Sequence, residues 1–390
     1  MKRVVIIWPK YAPYNMARVR ALANLQNGNI ETIVFHLVLQ NDQHAWATHE
    51  TPNSVTVVTM IDTAYESYSA QKLARQLIEK LAECNPDAVV ICGYDSGSLR
   101  SAARWAKAHG SASIVMFETT QWDKRRRWWR EWPKSLFIRR YFDAGFTGGT
   151  SHTQYLRALG MPQDRIWGTS AVVDNAYFEQ RSAEVRANIQ EHRKRLGLPE
   201  RYFLYVGRFS PEKNLLRLLE AYGKYQAEGR NPWGLVIVGD GPQREELHRT
   251  AARLGLDRVV WPGFKQIDEL PVYYALSSAF ILPSTVEPWG LVVNEAMACG
   301  LPLLVSDRCG CVVDLARNGE NGFTFNPYDA PAIAESMGRL TSLEQSERVR
   351  MGQRSRDIVA GYTPEAWAES LADCVRQTVS RKSGRATASA

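Results

Sequence analysis

Short apolar runs alternate with amphipathic stretches from Arg3 to Phe325. Runs rich in β-branched and aromatic residues predict strands near 3–8, 30–39, 55–60, 87–92, 113–117 and 143–147, with helical spacing near 14–26, 68–84, 97–109 and 151–159. In the second half, strands are predicted near 202–207, 234–239, 258–261, 279–283, 302–306 and 322–325. Helices are predicted near 213–228, 242–254, 267–276, 291–299, 311–317, 330–341 and 344–360. Residues 87–92, DAVVIC, form a near-continuous apolar run, as a parallel strand covered on both faces requires. A strand–helix rhythm of this kind builds parallel sheets covered by helices. Twelve strands exceed the roughly ten that one twisted open sheet usually carries. Two doubly wound α/β domains are therefore expected.

The expected boundaries are a first domain at 1–172, a polar connection at 173–200 and a second domain at 201–362. A final helix is expected at 363–380, followed by a disordered tail of small and polar residues at 381–390. The chain shows no internal repeat. A length of 390 residues suits two or three domains.

Composition removes several function classes. Hydrophobic residues at 45% and charged residues at 23% are those of an ordinary soluble globular protein. No apolar run approaches the roughly 18 residues of a membrane span. The opening MKRVVIIWPK reads as a first strand and not as a secretory leader, so a cytoplasmic location is expected. The six cysteines make no C-x-x-C pair, and the histidines show no metal-site spacing with them; no metal is expected. The net charge of +7 is local. Residues 124–140, KRRRWWREWPKSLFIRR, carry eight basic residues against the single acid Glu131, so the remainder of the chain sums to zero. That distribution argues against a nucleic-acid partner. The segment itself has three readings: a solvated helix with Trp128, Trp129 and Trp132 packed inward, a surface for anionic membrane on the inner face, or a contact for an anionic acceptor. Pro133 is expected to interrupt any single helix there.

Four segments at predicted strand ends carry candidate chemistry. Gly207–Asn214, GRFSPEKN, offers a turn at Gly207, a planar cation at Arg208 and a compact one at Lys213. Cations are disfavoured at a helix start unless an anion accompanies them. The stretch 238–242, VGDGP, lacks the third glycine of a dinucleotide fingerprint and reads as a tight turn. Residues 261–265, WPGFK, place Phe264 and Lys265 where a nucleobase could be flanked, or where the ring simply packs. Residues 283–300, PSTVEPWGLVVNEAMACG, hold Glu287 and Glu295 with seven residues between them. Pro288 suits a helix start, Leu291–Cys299 reads as helix, and Gly300 suits its C-terminal cap. Eight helical residues would separate the carboxylates by about 12 Å of rise and about 80° of rotation. That span resembles the distance from sugar to ribose in a folded nucleotide-diphosphate sugar. Free amides near Trp289, Gly290 and Leu291 would face phosphates. The plain alternative is a buried strand–loop–helix unit with two stray carboxylates.

The ordered set GRFSPEKN, VGDGP, WPGF, EPWGLVVNEAMACG and NGENGF, over roughly 200–330, resembles the C-terminal half of family 4 (group 1) retaining glycosyltransferases of GT-B fold. A weaker likeness runs through 148–178. The resemblance implies two Rossmann-like doubly wound domains facing a cleft, with the last helix crossing back to the first. It implies transfer of a sugar, with retention, from a nucleotide-diphosphate sugar that is substrate rather than cofactor. Arg208 and Lys213 would then bind the diphosphate, Glu287 the hydroxyls of the sugar, and Glu295 those of the ribose. Backbone amides over Trp289, Gly290, Leu291 and Val292 would add contacts to phosphate and sugar.

The chain contains no Asp-x-Asp, so a metal-held diphosphate is not expected. The acceptor would be a carbohydrate or a lipid-linked hydroxyl. The first domain departs from the family, because the loop after its first strand, WPKYAPYNMARVRAL, has no glycine. Asn15, Arg18, Asp95 and Glu118 are the polar candidates there for donor or acceptor contacts. Two other activities share these features: a nucleotide-sugar epimerase, and a catalytically silent nucleotide-sugar-binding protein.

Overall fold

The computed structural model describes residues 2–10, 13–25, 30–38, 55–61, 69–228 and 232–388. The chain divides into two compact units, Met1–Val173 with Thr363–Ala390, and Asp174–Tyr362.

In the first unit the described strands are β1 Lys2–Lys10, β2 Ile30–Val38, β3 Thr56–Thr59, β4 Ala88–Cys92, β5 Ala112–Phe117, β6 Ala144–Thr147 and the two-residue β7 Ile166–Trp167. They form one parallel sheet in the order β3-β2-β1-β4-β5-β6-β7. β1 pairs with β2 on one side and β4 on the other, with Val5 opposite Ile33 and Val89. Helices cover its faces, which is why Val5, Ile7, Val89 and Ile91 are all fully buried. Helix Ala70–Cys84 presents Leu73, Leu77 and Leu81, spaced by four, as its buried stripe. Ser96 accepts the Leu99 amide at 3.2 Å and so starts helix Gly97–Ala108.

Helix Pro364–Ala388 belongs to this unit. Its Trp367 is fully buried, stacked on Trp8 with ring centroids 6.4 Å apart and edge-on to Phe146 at 5.9 Å. The Trp167 indole donates to Asp373 at 3.0 Å. The tail expected to be disordered is helical as far as Ala388, because Arg381 and Lys382 pair with Asp164 at 3.2 Å and Asp143 at 3.1 Å where it was expected to begin. Ser389 and Ala390 lie outside the described residues.

Pro133 does not break its helix: Trp128–Tyr141 is continuous. Proline removes the bond to the Trp129 carbonyl. Both residues lie on the exposed side, where water can serve that carbonyl.

The second unit holds β8 Tyr202–Val206, β9 Gly234–Val238, β10 Val259–Gly263, β11 Ala279–Leu282, β12 Leu303–Ser306 and β13 Gly322–Phe325. They are parallel in the order β10-β9-β8-β11-β12-β13. Residues 173–200, expected to connect the domains, instead supply helices Asn175–Arg186 and Ile189–Leu196 to this unit. Their sequence is polar because only Phe178 and Ser182 are buried in the first helix and none in the second. Phe178 packs edge-on to Tyr274, and Arg186 donates to the Cys299 carbonyl at 2.6 Å. The Asn175 amide ties Val359 and Tyr362 carbonyls, at 2.9 and 3.1 Å, to the start of the unit.

All six cysteines are free thiols, and the described residues hold no group of three or more His, Cys, Asp or Glu side chains placed to bind a metal ion. No described helix is long and apolar enough to cross a membrane.

Candidate functional site

Strand order reverses between β8 and β11, and in open α/β sheets the crevice beyond the carboxyl ends at such a reversal is where ligands bind. The two loops leaving those strands carry the second unit's candidate charges. After β8 the chain runs through Gly207, Arg208, Phe209 and Ser210 into a single 3₁₀ turn, Pro211–Lys213. Asn214 follows in the left-handed conformation, φ +61°, and helix Leu215–Glu228 begins. The Asn214 amide donates to the Pro283 carbonyl at 3.0 Å and the Pro327 carbonyl at 2.7 Å. The Thr285 amide donates to the Glu212 carbonyl at 2.8 Å. These bonds fasten the β8 loop to the β11 loop and fix Lys213 against Glu287. The Lys213 ammonium is paired with Glu287 Oε2, and the Ser284 hydroxyl donates to the same oxygen at 3.3 Å. Glu287 is only 8% exposed. Burial works against the Lys213 charge, but the field and hydrogen bond of Glu287 outweigh it and the net shift is upward. Arg208 is half-buried beside Glu212, whose carboxyl is held below its ordinary value: burial opposes this, but the Ser210 hydroxyl and the Lys213 and Arg208 charges overcome it.

The neighbouring turns brace this pair. The amides of Gly207, Phe209 and Gly239 donate to the carbonyls of Val238, Asp240 and Gly263, at 3.0, 2.8 and 2.9 Å. The loops after β8, β9 and β10 are thereby stitched edge to edge. A Cβ on Gly239 would lie 1.9 Å from the Gly207 carbonyl oxygen, and one on Gly241 within 2.7 Å of the Phe209 backbone. The glycines of VGDGP serve loop packing, in agreement with a tight turn. Phe264 is partly exposed, while Lys265 is held by Glu269 at 3.3 Å.

The two glutamates do not share a helix. Pro288 is in the loop, Gly290 caps the helix at φ +102°, and the helix spans Leu291–Ala298. Glu287 instead bridges to Cys309, its carbonyl accepting the Gly310 amide at 2.9 Å. The expected helical rise and rotation therefore do not describe their separation. Glu295 is fully buried, with the Tyr274 hydroxyl donating to its Oε2 at 2.6 Å. Trp289 is buried too, its indole donating to Asn294 at 2.9 Å. Gly290 has no side chain with which to cap the amides of the first turn. Gly300, at φ +74°, follows the helix as expected.

A family model described as glycosyl transferases, group 1, matches residues 188–358. The chain is 28% identical over 273 residues to the alpha-D-kanosaminyltransferase of Streptomyces kanamyceticus, covering 69% of each. The match to the group 1 glycosyltransferases spans residues 188–358, a little less than half of the chain. It is also 31% identical over 242 residues to the sulfoquinovosyl transferase of Arabidopsis thaliana, where the match covers 59% of this chain but less than half, 44%, of the relative. Among solved structures it resembles Anabaena HepE in complex with UDP, with a TM-score of 0.72, 15% identity and coverage of 97% of this chain and 100% of that one. The fold is GT-B, two Rossmann-like units with a C-terminal helix.

In the first unit the polar candidates part company. Arg18 is buried and donates to the Val172 carbonyl at 3.0 Å. Desolvation lowers its pKa against the opposing field of Glu118. Glu118 accepts the Ser170 hydroxyl at 3.2 Å. Asn15 is buried one turn before Arg18, whereas Asp95 is exposed. Sequence reasoning missed Asn214, Ser284 and Thr285, which hold the Lys213–Glu287 pair in place. The available signal was position: Asn214 ends GRFSPEKN, and Ser284 and Thr285 stand just before Glu287. It also missed Tyr274, the partner of Glu295, which nothing in the sequence marks.

Proposed function

We propose that this protein is a group 1 glycosyltransferase that moves a glycosyl group from a nucleotide-diphosphate sugar to a hydroxyl of a carbohydrate or lipid-linked acceptor, with retention and without a metal ion. The observation that carries this is the partly buried Lys213–Glu287 pair at the strand-order reversal of the second unit. A diphosphate entering that crevice exchanges one anion for another on Lys213 and frees Glu287 to accept sugar hydroxyls. Arg208 lies in the same loop, and the Leu291 and Val292 amides add dipoles at the helix start. The HepE neighbour holds UDP, a nucleoside diphosphate, on the same fold.

The acceptor oxygen bonds to the anomeric carbon as the bond from that carbon to the diphosphate oxygen breaks on the same face. The bond's electron pair goes to the departing diphosphate, whose growing charge Arg208, Lys213 and the amides stabilise. A phosphate oxygen of the donor takes the acceptor proton. Glu295, buried with Tyr274, is assigned to the ribose hydroxyls, which requires its carboxylate to open to the ligand.

The test is a thermal-shift panel of UDP-, GDP-, ADP- and dTDP-sugars on wild type and on Arg208→Ala/Lys213→Ala, followed by anomeric NMR of the product with and without chelator. Selective stabilisation by one donor, lost in the variant, and a retained anomer insensitive to chelator are expected. An inverted product, or donor stabilisation unchanged in the double variant, would overturn the assignment.

A further inference from the structure

Helix Trp128–Tyr141 turns its apolar side groups the wrong way for a core element. Trp128 is 82% exposed, Trp132 63% and Trp129 48%, and Leu136 is exposed with them. Trp128, Trp132 and Leu136 recur every four residues and so line one face. The opposite side anchors the helix: Ile138 is fully buried, and Phe137 and Tyr141 pack against the core of the unit. Large aromatic groups are seldom left in water without a partner.

Charge is sorted across the same helix. Glu131, the only acid of the segment, is consumed inward, where it pairs with Lys134 at 2.8 Å and receives the Tyr155 hydroxyl. Arg126 is also turned inward, its guanidinium 4.3 Å from the Tyr155 ring centroid. Of the eight cations, removing Arg126 and Lys134 leaves six exposed: Lys124, Arg125, Arg127, Arg130, Arg139 and Arg140. Arg130 lies 4.8 Å and Arg127 5.9 Å from the Trp129 ring, with their charged heads beside the aromatic face. The exposed surface of the segment thus carries three indoles, a leucine and six cations, with no acid from the segment.

We propose that this face docks on an anionic lipid bilayer, with the tryptophans entering the headgroup region and the arginines lying among lipid phosphates. Indole suits that boundary because its ring is apolar and its N–H polar. Cations placed beside it gain from an anionic surface and lose that gain in salt. A nucleic acid would also attract arginine and stack on tryptophan. It would need a basic track along the protein, and the cations here are confined to one helix and its approach in a chain otherwise neutral.

The test is co-sedimentation of the full chain with vesicles of phosphatidylcholine alone and of an equal mixture with phosphatidylglycerol. Binding is expected to the mixed vesicles only, to weaken with added salt, and to fall about tenfold or more in Trp128→Ser/Trp132→Ser and in Arg127→Glu/Arg130→Glu. All four positions are exposed, so unchanged melting temperature and donor-induced stabilisation should accompany the loss. That readout keeps the bilayer question separate from donor chemistry. No sedimentation with acidic vesicles, binding indifferent to the tryptophans, or tight oligonucleotide binding in place of vesicle binding would overturn the proposal.

Discussion

The two sheets share one winding order around their reversal points, yet the loops beyond those points are built differently. In the second unit three successive loops are stitched by backbone bonds, and the half-buried cation Lys213 is matched by a buried anion. In the first unit Gly93 has room around it, Asp95 is exposed, and buried Arg18 answers to Glu118 through a field and to a backbone carbonyl. Equal topology does not bring equal preorganisation. The second unit holds a rigid, charge-matched cradle; the first holds a looser set of polar groups that can vary without disturbing the sheet.

The largest effect should come from removing one partner of the matched pair. Lys213→Ala leaves Glu287 charged and buried, and should lower unfolding free energy by about 3–5 kcal/mol. Adding Glu287→Gln should recover part of that, a coupling readable by chemical denaturation as a double-mutant cycle. The raised Lys213 value makes the pair's contribution complete below the ordinary lysine range and lost as pH rises through the folded-state value. Additive losses would mean that the pair is no matched unit.

Next is His36, buried on β2 and lowered by desolvation to about 4. The unfolded chain takes up this proton near 6.5, and the folded one only near 4. Stability is therefore complete above the first value and should fall by about 3 kcal/mol as pH drops through the second. Urea melts of His36→Gln between those values should lack that slope; a parallel slope would refute the account.

Smaller is the contrast between glycines. Gly239→Ala should cost about 2–3 kcal/mol, since its Cβ meets backbone at 1.9 Å. Gly93→Ala, with its nearest atom at 3.7 Å and φ +85°, should cost about 1 kcal/mol. Equal melting-temperature losses would erase the distinction between the cradles. Smallest is Asp95→Ala, expected within about 0.5 kcal/mol of wild type in the same melts. A larger loss would show that the exposed carboxylate is held by contacts the geometry does not reveal.

Periodicity carried the architecture, because a strand covered on both faces has few ways to be written; DAVVIC and YFLYVG are unmistakable on that ground. Charge placement carried Lys213 and Glu287 to the same crevice. What stayed hidden depended on contacts distant in sequence. Helices Asn175–Arg186 and Ile189–Leu196 are so polar that only docking reveals them as part of a unit. Tyr274, which donates to Glu295, carries no mark in the sequence. Pro133 misled because its cost falls where solvent can repair it.

The return of the chain to its first unit bears on the order in which the protein can be completed during synthesis. A ribosome releases Met1–Val173 first, and vectorial folding ordinarily favours what emerges first. Here the stack of Trp8 and Phe146 on Trp367 cannot form until Pro364–Ala388 has been made, by which time Asp174–Tyr362 is already out. The later-encoded unit is thus the earlier one able to close its core. The nascent first unit must wait with that aromatic seam open.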